Sequence, residues 1–452
     1  MRLLAGTLIA WALVSLPVGL AARIWYIKAD GTGDAPTIQA GVDSAAVGDT
    51  VLVGAGVYSD TASVLVDGEY KIVNVWIGKG LSLLSESSGG KPLIDGSASD
   101  IAIYVLNTEV EIAGFEIVTT LAGFGCVVPA ATPTSWNVIF DDVGVRCDGG
   151  GVTVRDCVIH DHRWAVVFNH AVGCVEASEV YRSALGVVYL SGSSGEVADS
   201  RFHYCGVGVQ AESSMVWVTR NQFAPGEFLM CAGVETGPFT QASIADNHFI
   251  DLFDIGVNCG GVVSATIERN RFERCYLSIQ SITGRSVVVR QNLSIGHHWC
   301  INLFNVIDWV IEGNTIDSGV LALACQGALT QNVKVAKNII SRHETGLFCA
   351  FGGIVDPSCN DFFEVAVPFD GDCPGEMGIA GNFSRDPEYC GIDDSGNYFL
   401  QSDSPCAPGN HPDGYDCGLI GAFPVNCGKV EAKASSWGSI KSKFQGGSEF
   451  RR

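Results

Sequence analysis

Short runs of alternating apolar and polar residues recur along the middle of the chain. A period of two places successive side chains on opposite faces of an extended backbone, which indicates β-strands with one buried face. Asparagine follows directly after the clearest of these runs, which are VWVTR, ASIAD, ATIER, VVVRQ, WVIEG and VKVAK.

The strands belong to a repeat of about 22 residues. Two independent columns keep step through nine units, and internal periodicity of this kind defines a repeat architecture. The first column recurs at spacings of 20 to 26 residues and comprises Asp156, Glu179, Asp199, Asn221, Asn247, Asn270, Asn292, Asn314 and Asn338. The second recurs at 21 to 25 residues and comprises Val166, Val187, Val209, Val234, Val257, Ile279, Ile301, Leu323 and Leu347.

A unit this short cannot bury its apolar face alone, so it must stack on its neighbours. Three short strands per unit predict an all-β fold, a single-stranded parallel β-helix. Leucine-rich repeats would need an LxxLxLxxN pattern, and propeller blades are nearly twice as long. We expect the asparagines to form a ladder at one bend, because asparagine tolerates the left-handed backbone conformation and its amide both donates and accepts.

On these repeats the chain resembles the pectin-lyase-like family of right-handed parallel β-helix proteins, of the secreted bacterial type. The family includes polysaccharide lyases, glycoside hydrolases and uronate epimerases. Residues 27–60 resemble its opening segment, which usually supplies a short capping helix, here expected within Thr37–Ala46. Residues 384–423 resemble the closing segment of many such proteins.

The resulting domain prediction has five parts. They are a signal peptide (1–22), an N-terminal cap (23–60), the β-helix (61–353, with regular coils from about 150), an acidic Cys-rich C-terminal cap (354–428) and a basic tail (429–452). The signal is expected because Arg2 precedes an apolar run that ends in small residues. No membrane span is expected in the mature chain.

Charge and cysteine content narrow the partners and the compartment. A formal net charge of −22 disfavours nucleic acid and repels polyanions unless cations bridge them. The 17 cysteines fit a secreted, extracellular or cell-surface protein, where disulfides persist. Cys325 and Cys349 share a register in adjacent coils and lie within disulfide distance, although whether they bond stays open. We expect a monomer.

One row of polar residues is the candidate binding surface. The residue after each inward aliphatic must face solvent, and five consecutive coils place Gln210, Glu235, Asn258, Gln280 and Asn302 there. The family resemblance implies a substrate groove along this strand and the turn before it. Amides that pair with sugar hydroxyls predict a polysaccharide partner for Gln210, Asn258, Gln280 and Asn302.

Four residues are candidates for proton transfer: Glu235, Asp254, His298 and His203. Glu235 is the only acid in the polar row, and the insert APGEFLM (224–230) precedes it. The turn before this strand holds the three other candidates and most histidines of the chain. The alternative interpretation is that these are ordinary polar turn residues of a solvated surface.

Motifs of known enzymes of the fold are incomplete. The polygalacturonase, pectate lyase and DPHD epimerase signatures are matched only in fragments, such as HDHR at 160–163. No metal site or other cofactor is predicted; calcium stays open at the acidic loops 370–376 and 393–397, for which a solvated loop is the simpler interpretation. Two hypotheses remain: a protein that binds an extracellular polysaccharide, with or without cleaving or epimerising it, and a non-enzymatic cell-surface, adhesion or structural protein.

Overall fold

The computed structural model describes residues 22–86, 88–119, 142–225, 232–374, 376–391 and 396–427. Within them the chain winds as a right-handed parallel β-helix of about 14 turns. The predicted signal peptide apart from Ala22, the predicted basic tail and most of the insert 224–230 lie outside the described residues. None of the described helices is long and apolar enough to cross a bilayer.

Three stacks of parallel strands form the walls, here called sheets A, B and C, and the chain passes from C to A to B in each turn. Strands confined to sheet A are Glu69–Ile77, Trp164–Asn169, Leu185–Leu190, Val207–Ala211, Ala232–Thr236, Ile255–Cys259 and Leu277–Ile282. Those of sheet B are Ile24–Ile27, Thr50–Val53, Leu81–Ser85, Val172–Glu176, Ser194–Ala198, Met215–Thr219, Gln241–Ala245, Ser264–Glu268, Arg285–Arg290, Ile307–Glu312, Gln331–Ala336 and Val355–Ser358. Those of sheet C are Val57–Tyr58, Leu93–Asp95, Glu116–Val118, Val158–His160, Glu179–Tyr181, Arg201–His203, Gln222–Ala224, His248–Ile250 and Arg271–Glu273.

Longer strands bend around a corner and belong to two sheets. Ile101–Ala113 and Val143–Arg155 run from A to B, whereas Leu293–Phe304, Thr315–Gln326, Ile339–Ala350 and Asp361–Gly371 run from C to A. The antiparallel strands are Ala62–Val66, which pairs with Glu69–Ile77, and the pair Tyr389–Gly391 and Asn397–Leu400. Parallel pairing therefore extends beyond both ends of the range 61–353, from Ile24 to Gly371.

The predicted aliphatic column is the core of sheet A. Val166, Val187 and Val209 are register partners in successive coils, and the column continues in register to Leu347. Each of its nine members is at most 2% exposed. The sequence repeat therefore gave the register of this sheet correctly.

The asparagine ladder lies at the bend between sheets B and C and is longer than predicted. In each step the Oδ1 atom of one asparagine accepts from the backbone N–H and from Nδ2 of the asparagine one coil earlier, as Asn247 does for Asn221 at 2.9 and 3.1 Å. The same arrangement continues beyond Asn338, through Asn360 to Asn382. All eight asparagines are buried.

Two details of the predicted ladder are wrong. The left-handed residue is the one before each asparagine, for example Arg220 with φ 56° and Asp246 with φ 58°. The asparagine itself is selected because its amide satisfies buried backbone groups. In the earlier coils Ser178 and Ser200 occupy the ladder position, and their Oγ atoms accept from the N–H groups of Cys157 and Ser178. Asp156, Glu179 and Asp199 are therefore each one residue out of register.

The N-terminal end carries the expected helix, Ile38–Ser44, which begins after Thr37, whose Oγ1 accepts from the Ala40 N–H at 3.1 Å. Beside it, the hairpin that includes Ala62–Val66 packs on the outer face of sheet A. There Val66 joins an apolar cluster that contains Tyr104, Trp164, Val167, Leu185 and Val188. In the outward column of sheet A, Arg146 is buried and paired with Asp67 and Asp148. Val167 and Val188 follow it as buried apolar residues, and partly exposed polar side chains begin at Gln210.

The C-terminal segment does more than close the last coil: it folds back along the outer face of sheet C. Tyr398 donates to Asp317 Oδ2 at 2.6 Å, and the Ala422 N–H donates to Thr315 Oγ1 at 3.0 Å. Ile339 of sheet C packs with Leu400 and other buried residues of the segment. Among the described residues the disulfides are Cys349–Cys373, Cys359–Cys417 and Cys390–Cys427, whereas Cys325 stays a free thiol.

We expect the ladder to contribute strongly to stability. Replacing Asn292 by Ala would leave the backbone N–H of Asn270 and the carbonyl of Ile267 without their side-chain partner. Such unsatisfied buried groups cost about 1–3 kcal/mol each. Chemical denaturation should show a lower free energy of unfolding, whereas the control Gln331→Ala, at an exposed strand position, should change it little. Equal effects of both substitutions would contradict this role of the ladder.

Candidate functional site

The predicted polar row exists on the outer face of sheet A. Gln210, Glu235, Asn258, Gln280 and Asn302 are register partners in five consecutive coils. All five are partly exposed, whereas the aliphatic residue before each is buried. Neighbouring parallel strands are about 4.8 Å apart, so the row presents one polar side chain per strand spacing.

Glu235 is the acidic member of this row. Asn258 Nδ2 donates to Glu235 Oε1 at 3.5 Å, a long contact. Burial raises the pKa of the Glu235 carboxyl above its ordinary value and outweighs the lowering effect of the Asn258 hydrogen bond, and the nearby carboxylates of Asp254 and Glu212 add smaller raising effects. A carboxyl group that keeps its proton closer to neutrality is suited to act as a general acid.

The amides on either side of Glu235 have unpaired oxygens. Gln210 Oε1 and Asn258 Oδ1 are buried atoms without a hydrogen-bond partner among the described residues. Buried polar atoms in native proteins are normally paired, so each such exception calls for a physical reason. The centre of the row therefore has more acceptors than donors.

A second column lies beside the row, at the start of the sheet A strands. The backbone N–H of Leu277 donates to the Asp254 carbonyl, and the N–H of His298 to the Tyr276 carbonyl, so Asp254, Tyr276 and His298 follow one another in consecutive coils. The rings of Tyr276 and His298 are stacked, with centroids 4.9 Å apart. Burial raises the pKa of Asp254.

Exposed aromatic rings are the feature that sequence reasoning missed here. Tyr276 is 50% exposed and Phe253 is 61% exposed, and both precede the strands that carry the polar row. The sequence contained this signal, because both aromatic residues stand in turns between predicted strands. An exposed aromatic ring in a turn does not stabilise the core, so it indicates an interaction surface. Amides and aromatic faces thus lie side by side on one surface.

His203, the fourth predicted candidate, is engaged elsewhere. Its Nε2 lies 2.9 Å from Glu179 Oε1, and its ring stacks on Tyr181, which in turn stacks on His160. All of these residues belong to strands of sheet C. The structure therefore brings Glu235 and Asp254 within electrostatic reach and places His298 beside Tyr276, but it does not join His203 to them.

Two other turn histidines point into the core. His297 Nε2 and His343 Nε2 are 2.9 Å apart across Gly319, whose missing side chain leaves room for the two rings. His343 Nδ1 donates to the Ser341 carbonyl, so its Nε2 accepts from His297, and Ser294 Oγ then donates to His297 Nδ1. This proton order requires both imidazoles to be neutral. These two turn histidines therefore do not face the candidate binding surface.

Metal ligands do not cluster anywhere in the described part of the chain: it has no group of three or more His, Cys, Asp or Glu side chains able to hold an ion. The two acidic loops considered for calcium, 370–376 and 393–397, each extend outside the described residues.

Comparison with known proteins agrees with this architecture. A family model described as right handed beta helix region matches residues 143–293. The chain is a right-handed parallel β-helix protein. No curated protein matches it in sequence.

Two solved structures give the same fold. The PL6 family alginate lyase AlyGC is 13% identical, with a TM-score of 0.50, and the match covers 88% of this chain but only 56% of the enzyme. The alginate lyase AlyF-OU02, in its complex with G6, is 10% identical, with a TM-score of 0.50 and coverage of 85% and 92%. At this identity the likeness establishes the fold alone, which is the one implied by the pectin-lyase-like resemblance.

Acid should destabilise the protein through the buried histidine pair. Burial lowers the pKa of His343 to about 4 and that of His297 well below its ordinary value. Unfolded histidine titrates near pH 6.5, so the unfolded chain takes up protons that the native pair refuses, and stability falls as the pH drops from about 6.5 to 4. Asp361, whose pKa burial raises to about 7, acts in the opposite direction over this range.

The measurement is the free energy of unfolding from pH 7.5 to 4.5 for the wild type and for the double variant His297→Leu/His343→Leu. The variant should lose less stability on acidification than the wild type. His170→Asn, which removes an exposed imidazole that does not contribute to the pKa shifts of the pair, serves as the control and should keep the wild-type slope. Parallel pH profiles for the wild type and the double variant would show that the pair is not responsible.

Proposed function

We propose that this protein binds an extracellular polysaccharide along the outer face of sheet A, between Gln210 and Asn302. The observation that carries the proposal is the row of five partly exposed polar side chains, one per coil, beside the exposed rings of Phe253 and Tyr276. Amides pair with sugar hydroxyls, and aromatic faces pack against the apolar faces of sugar rings.

The charges of this surface favour a neutral sugar chain. Glu212 and Asp254 are acidic residues near the row, and the sheet A strands from Val207 to Phe304 contain no Lys or Arg. Arg274, in the preceding turn, is already paired with Asp251. A uronate carboxylate placed on the row would meet like charge without a compensating cation.

Glu235 is the residue from which we expect chemistry, if the bound chain is cleaved. Its raised pKa suits it to donate a proton to a glycosidic oxygen as the bond to carbon breaks, and Asp254 is the nearby carboxyl group that could assist an incoming water. Binding does not depend on this step, so the two can be measured separately.

Export from the cytoplasm is part of the proposal. Three disulfides tie down the C-terminal segment, and disulfides persist in oxidising compartments. The apolar N-terminal run after Arg2 supports the same conclusion.

Binding should be tested with a panel of neutral and acidic polysaccharides, with and without calcium, while reducing ends and unsaturated products are followed. We expect a neutral polysaccharide to bind without calcium. Tyr276→Ala and Gln280→Ala should each weaken binding about tenfold, the effect of losing roughly 1.4 kcal/mol of contact energy.

Gln241→Ala provides the matched control, because this exposed amide lies on sheet B. It should leave the affinity unchanged. If no polysaccharide binds, or if the sheet A and sheet B variants have the same affinity, the surface is not a carbohydrate site. The alternative hypothesis, a non-enzymatic cell-surface, adhesion or structural protein, then gains support.

A further inference from the structure

The hydrogen bonds around Glu235 have a direction. Asn258, one coil later, uses its Nδ2 to donate to Glu235 Oε1. Gln210, one coil earlier, is the register partner of Glu235 on the other side. Side-chain amides stacked along a β-helix can pass hydrogen bonds from coil to coil, as the buried asparagine ladder of this protein does. The row therefore resembles a short ladder with a carboxyl group in the middle.

This short ladder is incomplete when Glu235 is ionised. A carboxylate has acceptors only, so it cannot donate onward to Gln210. Gln210 Oε1 is a buried atom that has no donor among the described residues. One proton on Glu235 would supply the missing donor and would give the row a single direction, from Asn258 to Glu235 to Gln210.

We infer that Glu235 is held as a neutral carboxylic acid whose O–H donates to Gln210 Oε1, and that Gln210 and Asn258 are positioning residues for this proton. The inference rests on the proposed function in one respect: the proton of Glu235 is the one that would be transferred to the bound sugar chain. In the absence of a ligand, Glu235 keeps this proton, and a bound ligand would displace the hydrogen bond to Gln210.

The charged groups around Glu235 act in the same direction. The carboxylates of Asp254 and Glu212 oppose its ionisation, as does its own burial. The Asn258 amide is the one neighbour that favours the ionised form, because it donates to the carboxyl group. No Lys or Arg is present in the sheet A strands from Val207 to Phe304 to offset these effects.

Removal of the two positioning residues should therefore shift the titration midpoint of Glu235 in opposite directions. Gln210 accepts from the neutral form, so its removal should lower the titration midpoint of Glu235 by about one pH unit, whereas removal of Asn258 should raise it. A residue with a merely structural role would not move the midpoint in a direction set by its hydrogen-bond chemistry.

The experiment is a pH titration of the Glu235 carboxyl by carbon NMR on protein labelled at the glutamate carboxyl carbon. The resonance is identified by its loss in Glu235→Gln. We expect a wild-type midpoint above those of the exposed glutamates, a lower midpoint in Gln210→Met and a higher one in Asn258→Leu. Gln280→Met, two coils from Glu235 in the same row, is the matched control and should leave the midpoint unchanged.

An ordinary midpoint in the wild type, or a midpoint in Gln210→Met that is unchanged or raised, would overturn the inference. A raised midpoint would show that the Gln210 amide donates to an ionised Glu235 through its Nε2. Gln210→Leu provides a second test if the methionine variant does not fold. Because the titration needs no ligand, a failure to bind any polysaccharide would end the proposed function and leave this inference standing.

Discussion

The constraint on which this structure depends is that each coil must sit one strand spacing from the next, in a fixed register. The buried asparagines enforce it, because from Asn247 to Asn382 each Oδ1 atom accepts from the backbone N–H and the side chain of the asparagine one coil earlier. A coil of about 22 residues that slipped by one position would leave several of these groups unpaired and would turn its aliphatic residues outward. Register is therefore specified twice, by polar satisfaction at one bend and by the apolar column of sheet A.

This regularity turns distant sequence positions into neighbours, and it is the origin of the candidate surface. The polar row is formed by residues more than twenty positions apart, and none of its members would meet without the repeat. The coverage of sheet A then decides where the row is accessible. Val167 and Val188, in the same outward column, are buried in an apolar cluster that includes Val66 of the N-terminal hairpin, whereas the five members of the row are partly exposed.

The sequence predicted those features of the structure that repeat from coil to coil. The aliphatic column, the outward row and the asparagines from Asn221 to Asn338 all repeat, so one alignment placed them together. Ser178 and Ser200 occupy the ladder position in the earlier coils, where asparagine stands in the later ones. Because the residue type changes there, the alignment selected neighbouring residues such as Asp199 instead.

The features that were missed depend on contacts without a period. His297 and His343 turn inward because their strands run unbroken from sheet C to sheet A, and their contact needs Gly319 between them. The lateral packing of the C-terminal segment depends on pairs such as Tyr398 and Asp317, which are 81 residues apart. The local sequence around these residues contains no pattern that predicts either contact. The aromatic residues Phe253 and Tyr276 were visible in the sequence, but the alternation that defined the row does not extend into their turns.

The claim that most needs a direct test is that the outer face of sheet A receives a sugar chain. The decisive measurement is a crystal structure of the protein with a neutral oligosaccharide at saturating concentration. The account predicts that the sugar lies across Glu235, Asn258 and Gln280, with a ring packed against Tyr276. A sugar bound instead on sheet B or sheet C, with the polar row left free, would contradict it.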